Sequence, residues 1–351
     1  MQPDYLIIGQ GICGTLLSYY LLKAGASVLV IDESRPFTAS KVASGLINPV
    51  TGKRYVTSWM TEELLPAADE TYRELEAHLS LSLLSTCEIL DFFPAAEAKD
   101  SFTRRVAESP YLQLADNEQP CQEYFRFDHG LGRIASCRLL DLRALLQAWR
   151  KYLKKENLLR ETAFEWEDCT VQPGEVIYKD IRARKIICCE GTAGYDNPYF
   201  SRLPYSQSKG EALIASIPEL PRTQVYRQGI KILPWGDDSF WIGSSYAWTF
   251  SDTHPTPAFR QQVERQLQHW LKLPYRITDH LAGTRPATAE YRPFAGLHPR
   301  APEVGILNGM GSKGCSLAPW LARKFSDRLL QEQPLPPAAD IARFSRILSK
   351  S

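Results

Sequence analysis

Two glycine clusters and a carboxylate carry the spacing for binding a phosphate-bearing dinucleotide. Gly9, Gly11 and Gly14 follow the apolar run Tyr5-Leu6-Ile7-Ile8, and Asp32 closes a second run, Val28-Leu29-Val30-Ile31. Gly9 permits a tight turn off a strand, Gly11 lets the backbone approach a diphosphate, and Gly14 lets helix and strand pack closely. The N–H groups of Ile12 and Cys13 then lie at a helix start, where unsatisfied donors and the helix dipole favour negative charge. Asp32, with Glu33 beside it, is placed to accept hydrogen bonds from an adenosine ribose. The second cluster, Gly309-Met310-Gly311-Ser312-Lys313-Gly314-Cys315, follows Ile306-Leu307-Asn308.

These residues need elements to position them. The first cluster predicts strand, turn, a helix from Thr15 to Ala24 closed by Gly25, then a second strand, which is one βαβ unit. Lys185-Ile186-Ile187-Cys188-Cys189-Glu190-Gly191 predicts a third parallel strand ending at Gly191. The stretch Thr38 to Pro49, with Lys41, Ala43, Ser44, Gly45 and Asn48, is small and hydroxylated enough for its backbone to lie against a ligand. Helices are expected from Thr61, with Leu64, Ala68, Tyr72, Leu75 and Leu79 on one face, and after an Asp141 N-cap. A third begins at Thr256-Pro257, where proline suits a first turn. The second glycine cluster predicts a final strand, loop and helix carrying Leu317, Leu321, Phe325 and Leu329. Strands are expected over Glu211–Ile217, Gly229–Pro234 and Ser239–Ile242, and short strands and loops from Glu88 to Ile134.

A chain of 351 residues suits two domains. Hydrophobic residues at 44% and charged residues at 23% are ordinary for a globular protein. The formal net charge of +1 comes without a basic run, which argues against a nucleic-acid partner. No signal peptide is expected before the first strand, and glycines interrupt the apolar N-terminal region, which argues against a membrane span. Eight scattered cysteines without a C-x-x-C pair point to reduced thiols and a cytoplasmic location. Six dispersed histidines give no metal-ligand spacing, so no metal is expected.

Taken in order, the motifs resemble the flavin amine oxidoreductases of the D-amino acid oxidase and glycine oxidase type. The family's A-S-G-x-x-N/G loop is similar to Ala43-Ser44-Gly45-Leu46-Ile47-Asn48, and its G-x-R-P segment to Gly283-Thr284-Arg285-Pro286. Its P-x-x-G is similar to Pro293-Phe294-Ala295-Gly296, and its closing G-x-G-x-x-G-x-x-L-A-P to Gly309, Gly311, Gly314, Leu317, Ala318 and Pro319. The resemblance covers almost the whole chain, weakly from Thr61 to Ile134. It implies an α/β fold in which a Rossmann-like FAD-binding domain with a parallel sheet (1–60, 136–205 and 284–351) interleaves with a mixed-sheet α+β substrate domain (61–135 and 206–283). It also implies FAD held non-covalently and oxidation of the C–N bond of a small amine or amino acid, with hydride passing to flavin N5 and the imine then hydrolysed.

Within that resemblance Arg285 anchors a substrate carboxylate, because a guanidinium fork matches it bidentately; a structural salt bridge is the competing role. Tyr246 lines the pocket beside the ring or serves as core or lid. The backbone from Gly311 to Cys315 stabilises negative charge at the N1–O2 edge of a reduced ring, with Lys313 either adding charge there or pointing to solvent. Lys53, Arg54 and Arg292 are further candidate neighbours, and Cys315 is a packed thiol or a covalent attachment point. The sequence departs from the family at Glu190, where alanine is frequent, and at Arg292. Three other readings stand: FAD with another substrate (a hydroxy acid, glycerol phosphate or a modified tRNA nucleoside), a nicotinamide dehydrogenase, and a non-catalytic flavin-binding protein. The electron acceptor, whether oxygen, a quinone or a protein, is unspecified by sequence.

Overall fold

The computed structural model describes residues 2–52 and 54–349. A six-stranded sheet runs in the order Phe294–His298, Ala301–Asn308, Lys185–Cys188, Tyr5–Ile8, Val28–Ile31, Leu159–Arg160. Its pairs are parallel except the hairpin joining the first two. The central strands are continuous apolar runs because both faces are covered. Tyr5, Ile7, Val28 and Val30 point to one side, where helices Ile12–Lys23, Thr61–Leu79, Leu142–Lys155 and Gly314–Gln331 pack. Leu6, Ile8, Leu29 and Ile31 point to the other, against Val176, Tyr178, Phe200 and Phe344. Leu16, Leu17 and Leu21 of the first helix are fully buried, each worth about 1.5–3 kcal/mol in apolar transfer.

Beside this sheet stands a nine-stranded mixed sheet, ordered Arg276–Thr288, Tyr205–Ser216, Ser239–Gly243, Ile230–Trp235, Val225–Gln228, Leu84–Phe92, Leu131–Leu140, Leu46–Ile47, with Leu112–Leu114 at its side. Leu213, Ile232, Phe240 and Ile242 face helix Pro257–Trp270. Residues of opposite parity, including Ala212, Leu233 and Trp241, face the other way. That second face is only partly covered, and its uncovered part forms the floor of a cleft. The sheet continues across the expected limits at 135/136 and 283/284, because Leu131–Leu140 and Arg276–Thr288 each run through them.

Several elements differ from expectation. The first helix begins at Ile12, directly after Gly11, and ends at Lys23, with Gly25 at φ +83° completing the stop. Between Glu88 and Ile134 the chain forms a three-turn helix, Ala96–Val106, whose mostly exposed surface left Phe102 as its one buried anchor and so little periodic signal. The third parallel strand stops at Cys188, and Gly191–Tyr195 turns as a 3₁₀ helix. The helices from Thr61, after Asp141 and after Thr256 form as expected, with Asp141 accepting from the Ala144 N–H and Thr256 from the Phe259 N–H. Among the described residues, no helix is long and apolar enough to cross a membrane.

Candidate active site

The two glycine clusters open into one continuous cleft of about 1610 Å³. Gly9, Gly11, Ile12 and Cys13 line one end with Asp32, Glu33 and Gly191; Gly311, Ser312, Lys313, Gly314 and Cys315 line it farther along with Arg285 and Tyr246. Lys41, Ala43, Ser44, Gly45 and Asn48 form the wall between. Gly14 and Gly309 are not in the lining. They act from behind: a Cβ on Gly14 would lie 1.9 Å from the Gly9 carbonyl oxygen, and Gly309, at φ +77°, packs on Thr288 and Phe294.

Both helix starts at the cleft lack a side-chain cap. Gly11 caps the first helix with its backbone alone, and Lys313 precedes the last without capping it. Among the described residues, one donor of the first start has a side-chain partner, the Ile12 N–H, which donates to Ser40 Oγ at 3.1 Å. The free donors and the positive dipole ends suit a diphosphate at one end and a ring that gains negative charge at the other. Asp32 accepts from the Gln10 N–H at 2.8 Å and from the Arg150 guanidinium at 2.7 Å, a partner that sequence spacing did not reveal. The cleft, its length and its donors fit FAD.

Peripheral candidates sit as follows. Glu33 pairs with Arg35, and Lys41 donates to the Arg35 carbonyl at 2.6 Å. Burial lowers the Lys41 ammonium below its ordinary range. Arg54 is exposed, and Lys53 lies outside the described residues. Arg292 stacks over the Trp59 ring at 4.4 Å. Glu190 is tied to Asn197 Nδ2 at 2.7 Å, and burial raises its carboxyl. Cys315 is buried, with its thiol pushed up to about 12 by desolvation.

Lys313 does not point to solvent. Its ammonium turns inward and donates to Asn48 Oδ1 at 3.2 Å and Ser58 Oγ at 3.0 Å, while burial lowers it to about 8. The inward turn follows from the glycine loop, which sets residue 313 facing the Asn48 loop. Asn48 is further fixed by its amide donating to the Val50 carbonyl.

Arg285 is withdrawn from solvent without a carboxylate. Its guanidinium donates to Ser244 Oγ at 2.9 Å and the Ser245 carbonyl at 3.2 Å, and it stacks on the Tyr246 ring at 4.2 Å. Among the described residues it makes no ion pair, so the salt-bridge role is not realised. It rests on Gly210, where a Cβ would fall 2.0 Å from Nη2. Tyr246 is half exposed at the cleft mouth.

Sequence reasoning missed the row beside Arg285. Asp91, Arg227 and Lys231 stand side by side on three adjacent strands, in register. Arg227 clasps Asp91 through two bonds of 2.7 and 2.6 Å, and the Tyr55 hydroxyl donates to Asp91 at 2.8 Å. A signal for Lys231 existed: Ile230 and Ile232 go to the core, so period-two alternation puts a lysine on the opposite, uncovered face.

Comparison with known proteins bears on the fold and the family. The chain resembles in fold the crystal structures of iminodiacetate oxidase from Chelativorans sp. BNC1 (20% identity, TM-score 0.78, covering 97% of this chain and 98% of that one) and glycine oxidase from Geobacillus kaustophilus (17%, 0.77, 98% and 98%). Among curated proteins it is 25% identical over 96% of its length to the bifunctional protein ThiO/ThiG of Trichormus variabilis, of which it spans 54%. It is also 35% identical over 74 residues to the uncharacterized oxidoreductase YurR of Bacillus subtilis, 21% of this chain and 19% of that protein. The family model described as FAD dependent oxidoreductase (DAO) matches residues 4–328, and the chain belongs to that FAD-dependent oxidoreductase family.

Proposed function

We propose that this flavoenzyme oxidises the C–N bond of a small amine or amino acid bearing a carboxylate. The observation that carries the reading is the half-buried, carboxylate-free Arg285 guanidinium in the cleft shared by both glycine clusters. A cation withdrawn from water without a counterion is costly, and a substrate carboxylate supplies the missing partner in bidentate geometry. FAD supplies the two-electron acceptor for the substrate's C–H bond, and water then hydrolyses the imine to a carbonyl compound and an amine.

The chain's own residues have separable tasks in this reading. Gly9, Gly11, Ile12 and Cys13 hold the diphosphate, and Asp32 the ribose. The uncapped start of helix Gly314–Gln331, with Lys313 beside it, stabilises negative charge at the ring end. Ser244, Ser245 and Tyr246 fix the Arg285 fork, so the substrate carbon is held in one orientation. The eight cysteines are all free, in keeping with a cytoplasmic protein. We further assign residues 1–60, 136–205 and 284–351 to an FAD-binding domain and 61–135 and 206–283 to a substrate domain, with Arg285 serving the substrate from just past the 283/284 limit, on a strand that spans it.

The test is anaerobic mixing of the yellow protein with glycine, sarcosine, D-amino acids or proline. Bleaching of the flavin band by at least one of them is expected; no bleaching by any carboxylate-bearing amine refutes the reading. Arg285→Ala should keep the colour and lose turnover, and undiminished turnover would remove the anchor.

A further inference from the structure

One face of the nine-stranded sheet carries an uncompensated second cation. Across neighbouring strands the register aligns Asp91, Arg227, Lys231, Gly243 and Ala212 in one lateral row. Asp91 spends its charge on Arg227 and its remaining acceptor on Tyr55. Lys231 is therefore left without a counterion: among the described residues its ammonium makes no hydrogen bond or ion pair, although it lines the cleft. The carboxylate of Glu211 at the cleft edge is committed to the Thr256 N–H at 2.6 Å and to His280 at 3.0 Å.

Burial pulls the Lys231 ammonium down to about 8, with Arg227 and Arg285 adding repulsion. An ammonium in such a place either sheds its proton or is held charged by an anion that arrives with a ligand. Between Lys231 and the Arg285 guanidinium the cleft is lined by Ala212 and Trp241, whose side chains cover Gly243, and Gly210 lies directly beneath the guanidinium. The guanidinium lies over the strand of Gly210, two strand spacings from that of Lys231, roughly 10 Å at the backbone. Both cations line the same cleft and lie close enough to repel each other, a pairing suited to a short chain with an anionic group at each end.

We propose that the substrate is a dianionic amine, with one carboxylate on Arg285 and a second on Lys231. This rests on the reading of Arg285 as an anchor and goes beyond it in naming the substrate class. Glycine, sarcosine and proline would then occupy only half of the site. The step itself is unchanged, since the second carboxylate is bound and not transformed.

The test is calorimetric titration of the FAD-loaded protein with non-oxidisable pairs: thiodiacetate against methylthioacetate, and glutarate against butyrate. The dianion of at least one pair should bind about 10- to 100-fold more tightly than its monoanion, the range of a charge-assisted hydrogen bond. Lys231→Gln should cut that preference below about 3-fold, and Lys231→Arg should retain most of it. Arg285→Ala should weaken both members of a pair. Equal binding of mono- and dianions by the native protein, or a preference that survives Lys231→Gln, overturns the proposal, as does a failure of all four probes to bind. Because no turnover is needed, lysine-dependent dianion binding together with no oxidation of any amine would refute the proposed reaction and leave this site standing. Retained FAD absorbance and an unchanged melting temperature check that each variant is folded.

Discussion

Substituting Gly210→Ala isolates the anchor from the rest of the fold. The backbone at this position is ordinary strand, so alanine meets no conformational barrier there and gains slightly from a stiffer unfolded chain, about 0.4–1 kcal/mol. The added Cβ, however, would lie 2.0 Å from Arg285 Nη2, 2.3 Å from Cζ and 2.5 Å from Nη1. Reaching ordinary contact at 3.4 Å requires the guanidinium to retreat by about 1.4 Å. That retreat breaks the Ser244 and Ser245 bonds, now 2.9 and 3.2 Å. A misplacement of about 1 Å costs on the order of 10²-fold in a positioned reaction, so carboxylate affinity and kcat/KM should fall about 10- to 100-fold. The assay is titration of the flavin spectrum with benzoate or methylthioacetate, beside steady-state kinetics and a thermal melt. Affinity within about 2-fold of native, with the protein folded and yellow, would refute the placement of Arg285 as the carboxylate anchor. Loss of colour and of the melting transition would instead make Gly210 a packing residue and equally defeat the argument.

Gly14→Ala puts a Cβ 1.9 Å from a backbone oxygen that cannot swing aside, so it should abolish FAD retention and lower the melting temperature; a yellow, stable variant contradicts the helix–strand packing. Asp91→Ala strands the Arg227 guanidinium in a buried site and should cost about 3–5 kcal/mol in chemical unfolding, whereas a cost below about 1 kcal/mol would mean water reaches the pair. Lys231 is charged below about pH 8 and neutral above it, so dicarboxylate affinity should be full near pH 7 and fall as pH rises through about 8. Arg227, Asp91 and Arg285 are the charged groups that act on it, while Lys313, lowered to about 8 as well, is separated in the test by repeating the titration in Lys231→Gln. With a buried thiol pushed up to about 12, Cys315 is a poor nucleophile; acid precipitation should release all the FAD, and flavin retained on the pellet would show a covalent link.

What the sequence determined by itself is local. The tight turn at Gly9, the close packing at Gly14, the capped helix after Asp141 and the apolar strands ending at Ile8 and Ile31 are dictated within a few residues by steric limits, capping and burial of both sheet faces. The cofactor site was legible for that reason, because its contacts are largely backbone groups placed by those turns. Tertiary structure decided the rest. Lys313 faces inward because the Asn48 loop, distant in sequence, meets it. Arg150 reaches Asp32 from another helix, and the helix Ala96–Val106 stands on a single buried phenylalanine. The Asp91–Arg227–Lys231 row and the glycine floor under Arg285 exist only through strand order and register. Strand order and register are non-local properties, set by which apolar faces pack together, and no spacing along the chain encodes which charges they bring side by side.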